Sequence, residues 1–263
     1  MAEAKFFCFR DGHLEPVTSS PDSEVRLTVA DSWLTDNGRT RDLQVHFERF
    51  ADWVREQNPD CNEDLEPFFE AVSNAIPDTG RWFPRIEFHG EAVEPNHLYL
   101  RLREAPEQLG AITLWTSPDA DPRVKPRVKG PDLSLCLQLR RAAQMHGADE
   151  AVITSTDGHL IEGALSSIVW WRGEVLCAPD HQTPWLDSVT RKEVFAIAQE
   201  MGYSTRLEHI KPADLVGLEI WALSSLQGIR PVEDWVNLGS PVGKATHVDA
   251  FSRRLRLKLT SIR

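Results

Sequence analysis

With 263 residues, 41% of them hydrophobic and 26% charged, the chain can bury a sizeable core and does not have the composition of a disordered or fibrous protein. A formal net charge of −11 argues against nucleic acid as the main partner, because phosphate backbones need a basic face, but it leaves room for a small local anion site. No apolar run approaches the roughly 20 residues of a spanning helix. The opening MAEAKFFCFRDG lacks the charged-then-apolar layout of a secretory signal, so a cytoplasmic protein off the membrane is expected.

Four scattered cysteines (Cys8, Cys61, Cys136, Cys177) show no CxxC, which fits a reducing compartment. The histidines show no ligand spacing such as HxxxH, so no metal is predicted. Nine tryptophans are many, and Trp33, Trp53, Trp82, Trp115 and Trp221 sit in apolar periodic segments, as core anchors do.

In chain order, Lys5–Phe9 and Val25–Val29 read as strands, and Asn37-Gly38 as a hairpin turn. Val45, Phe47, Phe50 and Val54 recur near every 3.6 residues and predict a helix over Leu43–Gln57. Leu65, Phe68, Phe69 and Val72 predict a second over Glu63–Ile76. Strands are expected at Trp82–Phe88, Leu98–Leu102 and Ile112–Trp115.

Thr116–Pro131 (TSPDADPRVKPRVKGP) has four prolines and no periodicity, so it reads as a linker between domains at 1–115 and 132–263. The second half opens with a helix from Asp132 to His146, stopped by Gly147. A meander follows at Ala151–Thr154, His159–Ile161, Ser167–Trp171 and Glu174–Ala178, with turns at Asp157-Gly158 and Arg172-Gly173. Helices are expected at Thr190–Met201 and Val248–Leu259, with a strand at Ile220–Ser224 between them.

Several residues along this frame carry chemistry. The Thr190 helix begins with unpaired amides and a positive dipole end, to which Ser188, Thr190 and Arg191 add donors and charge; alone, it reads as a capped surface helix. Ser225 ends a strand beside a glycine turn, where a hydroxyl can bind phosphate or simply satisfy the turn. Arg49 stands mid-helix, and its guanidinium fork suits phosphate, although a solvated arginine is the plain alternative. Lys129 is a candidate Schiff-base amine if desolvation lowers its pKa, with Lys125 as the alternative four residues earlier. Glu162, among Ile161, Gly163 and Ala164, could keep a pyridine nitrogen protonated. Arg101 and Arg103 alternate with leucines on a strand; one could bind a substrate carboxylate, though a solvent-facing row is the simpler account.

The order and spacing of these residues resemble the class IV, or fold-type IV, pyridoxal-phosphate aminotransferases, the group that includes branched-chain and D-amino-acid aminotransferases and aminodeoxychorismate lyase. KGPDLSLCLQLRRAAQMHGADEAVI resembles the family segment that runs from the Schiff-base lysine through a helix to a GADEA-type strand. TSTDGHLIEGALSSIVWW is similar to DG-x-x-x-EG-x-x-S-N-[IVL]-F, WLDSVTRKEV to L-P-G-[IV]-T-R, and SSLQGIRPV to the T-G-T…P-V stretch. NGRTRDLQVHFERF resembles NG…H-x-x-RL, with His46 and Arg49 in step.

The resemblance implies an α+β, two-domain fold-type IV enzyme: a smaller N-terminal α/β domain and a larger C-terminal domain with an antiparallel meander and helices. It implies pyridoxal 5'-phosphate as cofactor and a homodimer. Lys129 is the implied catalytic lysine, Glu162 the partner of the ring nitrogen, and Arg49, Val189, Thr190 and Ser225 the phosphate ligands. Ser32, Arg101 and Arg103 are the substrate-side candidates. The sequence departs from the pattern where Asp132-Leu133 replace Asn-Tyr, Asp187-Ser188 replace Pro-Gly, Ser167 replaces the asparagine of S-N, and Asp31-Ser32 stand in for a Glu-Thr pair.

The implied reaction moves an amino group between an amino acid and a 2-oxo acid. The alternative is pyruvate elimination by an aminodeoxychorismate lyase, and a third reading is a relative without activity. Small-molecule substrates are expected in each active case.

Overall fold

The computed structural model describes residues 4–18, 26–92 and 96–263. The chain forms two compact units. The first comprises Met1–Glu107, Val128–Pro131 and Lys258–Arg263, and the second Gln108–Arg127 and Asp132–Leu257.

The first unit contains β1 (Lys5–Arg10), β2 (His13–Val17), β3 (Val29–Ser32), β4 (Thr35–Asp36), β5 (Arg39–Thr40), α1 (Leu43–Gln57), α2 (Asn62–Ala75), β6 (Arg81–Trp82), β7 (Arg85–Phe88) and β8 (Leu98–Leu102). Its five-stranded sheet runs β2-β1-β8-β7-β3, with every neighbouring pair antiparallel. Side chains alternate across such a sheet, and register sets which residues share a face. Val29, Ile86, Phe88, Leu98 and Leu100 share the core cluster with Phe47, Phe50 and Val54 of α1 and Leu65, Phe68 and Val72 of α2. Phe47 and Phe69 stack at 4.3 Å between ring centroids, and a fully buried ring of this size stabilises by roughly 2–3 kcal/mol. The opposite face of the same strands carries Ser32, Arg85, Glu87 and Arg101 together with Phe6, Cys8, Ala30 and Tyr99.

The expected turn is present: Asn37 and Gly38 have φ of 47° and 70°, the paired positive values of a tight hairpin joining β4 to β5. The expected strand over Trp82–Phe88 is two strands, broken at Phe83-Pro84, because proline has no N–H to donate to the ladder. Of the expected strand at Val25–Val29, Val25 lies outside the described residues, residues 26–28 are not strand, and Val29 opens β3.

The second unit contains β9 (Ile112–Ala120), α3 (Leu133–Met145), β10 (Glu150–Thr154), β11 (Leu160–Gly163), β12 (Ser167–Arg172), β13 (Val175–Pro179), α4 (Val189–Glu200), β14 (Ser204–Glu208), β15 (Ile220–Ser224), β16 (Gly228–Trp235) and α5 (Val248–Leu257). Its eight strands run β11-β10-β9-β16-β15-β12-β13-β14, with β9 parallel to both β10 and β16. One apolar cluster gathers Ile112, Leu114, Ile168, Trp170 and Trp235; another gathers Val169, Trp171, Trp221, Val194, Ile197 and Phe251, with α4 and α5 supplying the helical side.

Several features depart from the sequence reading. The expected linker at 116–131 is partly strand: β9 runs on to Ala120, so 112–115 sits in the second unit's sheet and not in an N-terminal domain. Val128–Pro131 returns to the first unit, where Lys129 O accepts from Ala30 N at 2.7 Å. The C-terminal residues return too, Thr260–Ser261 pairing with β5. Strands β2, β14 and β16 were not anticipated; β2 and β16 contain prolines (Pro16, Pro231) that argue locally against a strand.

Candidate functional site

In the first unit the candidate residues gather around Asp31. β3 carries Asp31 toward α1, where His46 and Arg49 stand one turn apart on the same helix face. Arg49 Nε and Nη2 donate to the two Asp31 oxygens, each at 2.8 Å, and His46 Nδ1 lies 2.8 Å from Oδ1. Burial alone would raise the Asp31 carboxyl, but Arg49, Lys129 and His46 together hold it well below the usual carboxylate range. Burial lowers the His46 pKa against the pull of Asp31. A neutral His46 beside an ionised Asp31 must therefore carry its proton on Nδ1 and donate it.

Ser32, the next residue, points to the other face of the strand and meets the lysine. Lys129 Nζ donates to Ser32 Oγ at 2.8 Å and lies 3.5 Å from Asp31 Oδ1. Desolvation, with help from Arg49 and Arg85 and against Asp31, pushes the Lys129 pKa down to about 8. At neutral pH this makes the free amine about 300-fold more abundant than on an unperturbed lysine. Gly130 is what permits this approach. Its φ is +140°, and a Cβ there would come within 3.0 Å of Ala30 N and the Val29 backbone. Lys125 is exposed and belongs to the second unit, where its backbone N–H donates to Asp132. Arg101 and Arg103 are half-buried, their guanidinium groups over the rings of Phe6 and Phe83.

In the second unit Glu162 lies buried on β11. Its Oε1 accepts from Arg123 Nη1 at 2.6 Å and from the Leu186 amide at 2.9 Å. Arg123 is itself held in a fork by Asp121, through Nε at 2.8 Å and Nη2 at 2.9 Å. Burial raises the Glu162 pKa, and Arg123 works against that rise. Glu162 Oε2 has no hydrogen bond among the described residues, which leaves it able to accept one from a ligand N–H.

The Leu186 bond also ties Glu162 to the segment that starts α4. Ser188 caps that helix, its Oγ accepting from Arg191 N at 3.2 Å. Val189 and Thr190 follow, both buried, and their amides have no acceptor within the helix. Thr190 Oγ1 is buried without a hydrogen-bond partner among the described residues. A buried helix start with an orphaned hydroxyl costs free energy unless an acceptor occupies it, and an anion is the acceptor that such a terminus favours. Arg191 is not aimed there; it lies over the Trp185 ring at 3.5 Å. Ser225 sits half-buried in the turn after β15, while its neighbour Ser224 accepts from Gln227 N and satisfies the turn.

Within the first unit the structure thus brings Lys129, Ser32 and Arg49 together, and within the second Glu162 and the Val189-Thr190 turn. Sequence reasoning did not assign roles to Asp31, His46 or Arg123. Asp31 and His46 lay inside an aligned motif and could have been found by asking which acid balances Arg49. Arg123, in a proline-rich run, offers no local signal of its pairing with a residue 39 positions away.

Each unit by itself carries chemistry suited to a phosphorylated aldehyde cofactor: the first an amine of lowered pKa, the second a buried carboxylate with an unbonded oxygen and a helix start with an unsatisfied hydroxyl. An aminodeoxychorismate lyase from Bacillus subtilis is 32% identical over 105 residues, covering 37% of this chain and 34% of that protein. One from Vibrio harveyi is 27% identical over 116 residues, covering 41% and 43%. The matched stretches thus span well under half of those relatives' own length.

Among solved structures, a hypothetical aminotransferase from Mycobacterium tuberculosis in a PLP-bound form superimposes with a TM-score of 0.83, at 19% identity over 99% of this chain and 100% of that one. A fold IV transaminase from Curtobacterium pusillum gives 0.77 at 18% identity, over 97% and 96%. At these identities the likeness establishes the fold-type IV architecture. The sequence model of the amino-transferase class IV family matches residues 28–235, most of both units, and the chain belongs to that family.

Proposed function

We propose that the chain is a pyridoxal-phosphate enzyme that moves an amino group between an amino acid and a 2-oxo acid, with Lys129 as its catalytic lysine. The observation that carries this reading is the Lys129 amine, partly buried against Ser32 and brought to a pKa of about 8. When bound, the cofactor supplies an electrophilic carbon for the amine and a ring that accepts electrons from the substrate's α carbon.

The chain's own residues then have separate tasks. Lys129 would hold the cofactor through Nζ, and the same amine would carry a proton to and from the substrate's α carbon. Its lowered pKa suits both directions of transfer near neutral pH. Glu162 would hold the ring nitrogen protonated, and Arg123 keeps the Glu162 carboxylate in place. Arg49, Ser225 and the Val189-Thr190 segment anchor the phosphate, which fixes the ring's orientation. Asp31 positions Arg49 by accepting both of its inner donors.

The lyase reading shares every one of these cofactor residues, and the names of the sequence relatives favour it. A homodimer follows the family resemblance. The cytoplasm is our reading of location, supported by four buried free cysteines; among the described residues no helix is long and apolar enough to cross a membrane.

The test is visible absorbance of purified protein on cofactor addition, for wild type, Lys129→Ala and Lys125→Ala. Colour is expected in wild type and Lys125→Ala and lost in Lys129→Ala; a colourless wild type would overturn the reading. Assays of transfer to 2-oxoglutarate and of pyruvate release from aminodeoxychorismate then separate the two reactions.

A further inference from the structure

A cleft of about 370 Å³ opens in the second unit beside α4, and none of the residues that line it has a part in the cofactor chemistry. Its volume falls within the roughly 300–1,000 Å³ usual for small-molecule sites. Val194, Ile197 and Ala198 turn into the core, which leaves Lys192, Phe195, Ala196 and Gln199, spaced i, i+3, i+4 and i+7, to line the cleft. Trp185 and Leu207 of β14 complete the apolar lining. The Trp185 wall is preformed: its Nε1 donates to Asp180 O at 2.7 Å, and Thr183 Oγ1 donates to the same oxygen at 3.0 Å. The His181 ring stands against it, with 5.1 Å between ring centroids.

Arg191 supplies the polar group. Its side chain is only 8% exposed, and its guanidinium lies over the Trp185 ring at 3.5 Å. Among the described residues none of its side-chain N–H groups has a hydrogen-bond acceptor. Asp187 Oδ1 stands 3.9 Å from Nη2, beyond hydrogen-bond reach, and Asp187 Oδ2 is held by Lys192 Nζ. Burial lowers the Arg191 pKa, with Asp187 and Glu162 working against it. A buried guanidinium without an acceptor is costly, so the cleft favours an occupant that brings one. A carboxylate fits the guanidinium fork, and a planar ring fits the indole and phenyl walls of Trp185 and Phe195.

We propose that this cleft binds a small aromatic carboxylate and serves as an effector site for the neighbouring cofactor segment. Trp185 and Arg191 flank residues 186–190 on either side. That segment contains Leu186, whose amide donates to Glu162 Oε1 at 2.9 Å, and the buried Val189 and Thr190 that open α4. An occupant that bridges Trp185 and Arg191 fixes both ends of the segment. The cofactor then has less of it left to order, and by linkage each ligand tightens the binding of the other. The effector role rests on the reading of the chain as a pyridoxal-phosphate enzyme. The binding site does not, because no residue that lines it is assigned to the cofactor.

The test follows binding of benzoate to the full chain by calorimetry, with benzamide as the neutral counterpart and cyclohexanecarboxylate as the non-planar one. Benzoate is expected to bind about tenfold or more tighter than benzamide, the worth of one charge-assisted pair. It should also bind about threefold or more tighter than cyclohexanecarboxylate, which cannot stack. Arg191→Gln is expected to erase the preference over benzamide. Ala196→Trp fills the cleft from an exposed helix position and is expected to abolish benzoate binding, with thermal melts confirming that it is folded. Equal binding of the three probes, or unchanged benzoate binding in folded Ala196→Trp, would overturn the site. Absorbance titration of the cofactor, with and without saturating benzoate, tests the coupling: an approximately fivefold tightening is expected in wild type and none in Ala196→Trp. Benzoate binding without that tightening overturns the effector role. Benzoate binding to a protein that stays colourless with cofactor overturns the cofactor reading while the cleft stands.

Discussion

Replacing Thr190 by valine separates a phosphate ligand from an ordinary helix residue, because the two roles predict opposite effects. The hydroxyl is buried and Oγ1 has no hydrogen-bond partner among the described residues. Leaving a hydroxyl buried and unpaired costs about 1–3 kcal/mol. Valine keeps the shape, has nearly the same helix propensity, and exchanges that hydroxyl for a methyl. Cofactor-free Thr190→Val should therefore be more stable than wild type, by about 1 kcal/mol after partial relaxation. The loaded protein loses a hydrogen bond to a charged group, typically about 1.5–3 kcal/mol, so cofactor dissociation should rise roughly 10- to 100-fold. Equilibrium urea unfolding without cofactor and absorbance titration with it measure the two quantities, with Thr190→Ser as the control that keeps the hydroxyl. If the valine variant loses stability without cofactor, the hydroxyl has a protein partner and the reasoning fails. If cofactor affinity is unchanged, Thr190 does not touch the phosphate.

Other expectations follow from the buried charges. Asp31→Asn strips the acid that balances Arg49 and Lys129, and breaking a buried pair on one side costs about 3–5 kcal/mol. Because the Asp31 carboxyl is held low in the fold, its contribution is full above the unfolded value near 4 and fades as pH falls below it, so unfolding curves of wild type and variant should converge in acid. Glu150 behaves oppositely: burial raises it to about 7, so its ionisation is penalised and stability falls as pH rises from about 4.5 to 7. Glu150→Gln should therefore match wild type near pH 4 and be more stable at pH 8 by up to about 3 kcal/mol, measured by denaturant titration. Gly130→Ala places a methyl against the Ala30 and Val29 backbone and should cost about 1–3 kcal/mol with weakened cofactor binding; an unaffected variant would show that the Lys129 approach is not set by Gly130.

Much of this molecule was legible locally. The 3.6-residue recurrence of Val45, Phe47, Phe50 and Val54 matches α1 at both ends, because one helical face must be apolar to meet the sheet. Asn37-Gly38 marked its turn because few other pairs tolerate two positive φ values. The order of Arg49, Lys129, Glu162, Thr190 and Ser225 pointed to a cofactor, since each residue type carries part of one chemistry.

Other features arise only when distant segments meet. The proline-rich run after Trp115 reads as a linker, yet residues 116–120 continue β9, because parallel pairing with β10 outweighs local propensity. Asp31 joins His46, Arg49 and Lys129 across as many as 98 positions, and Arg123 reaches Glu162 across 39. Sequence periodicity records which face of an element is apolar; it does not record which charge lies opposite which across a fold. The sequence by itself determined the helices and several strands and pointed to residues of a cofactor-binding type. The tertiary structure decided that the Asp31 carboxyl is held low, that burial lowers the Lys129 amine, and that Arg85 and Arg101 share one face, because each depends on burial and on neighbours that the chain brings together only when folded.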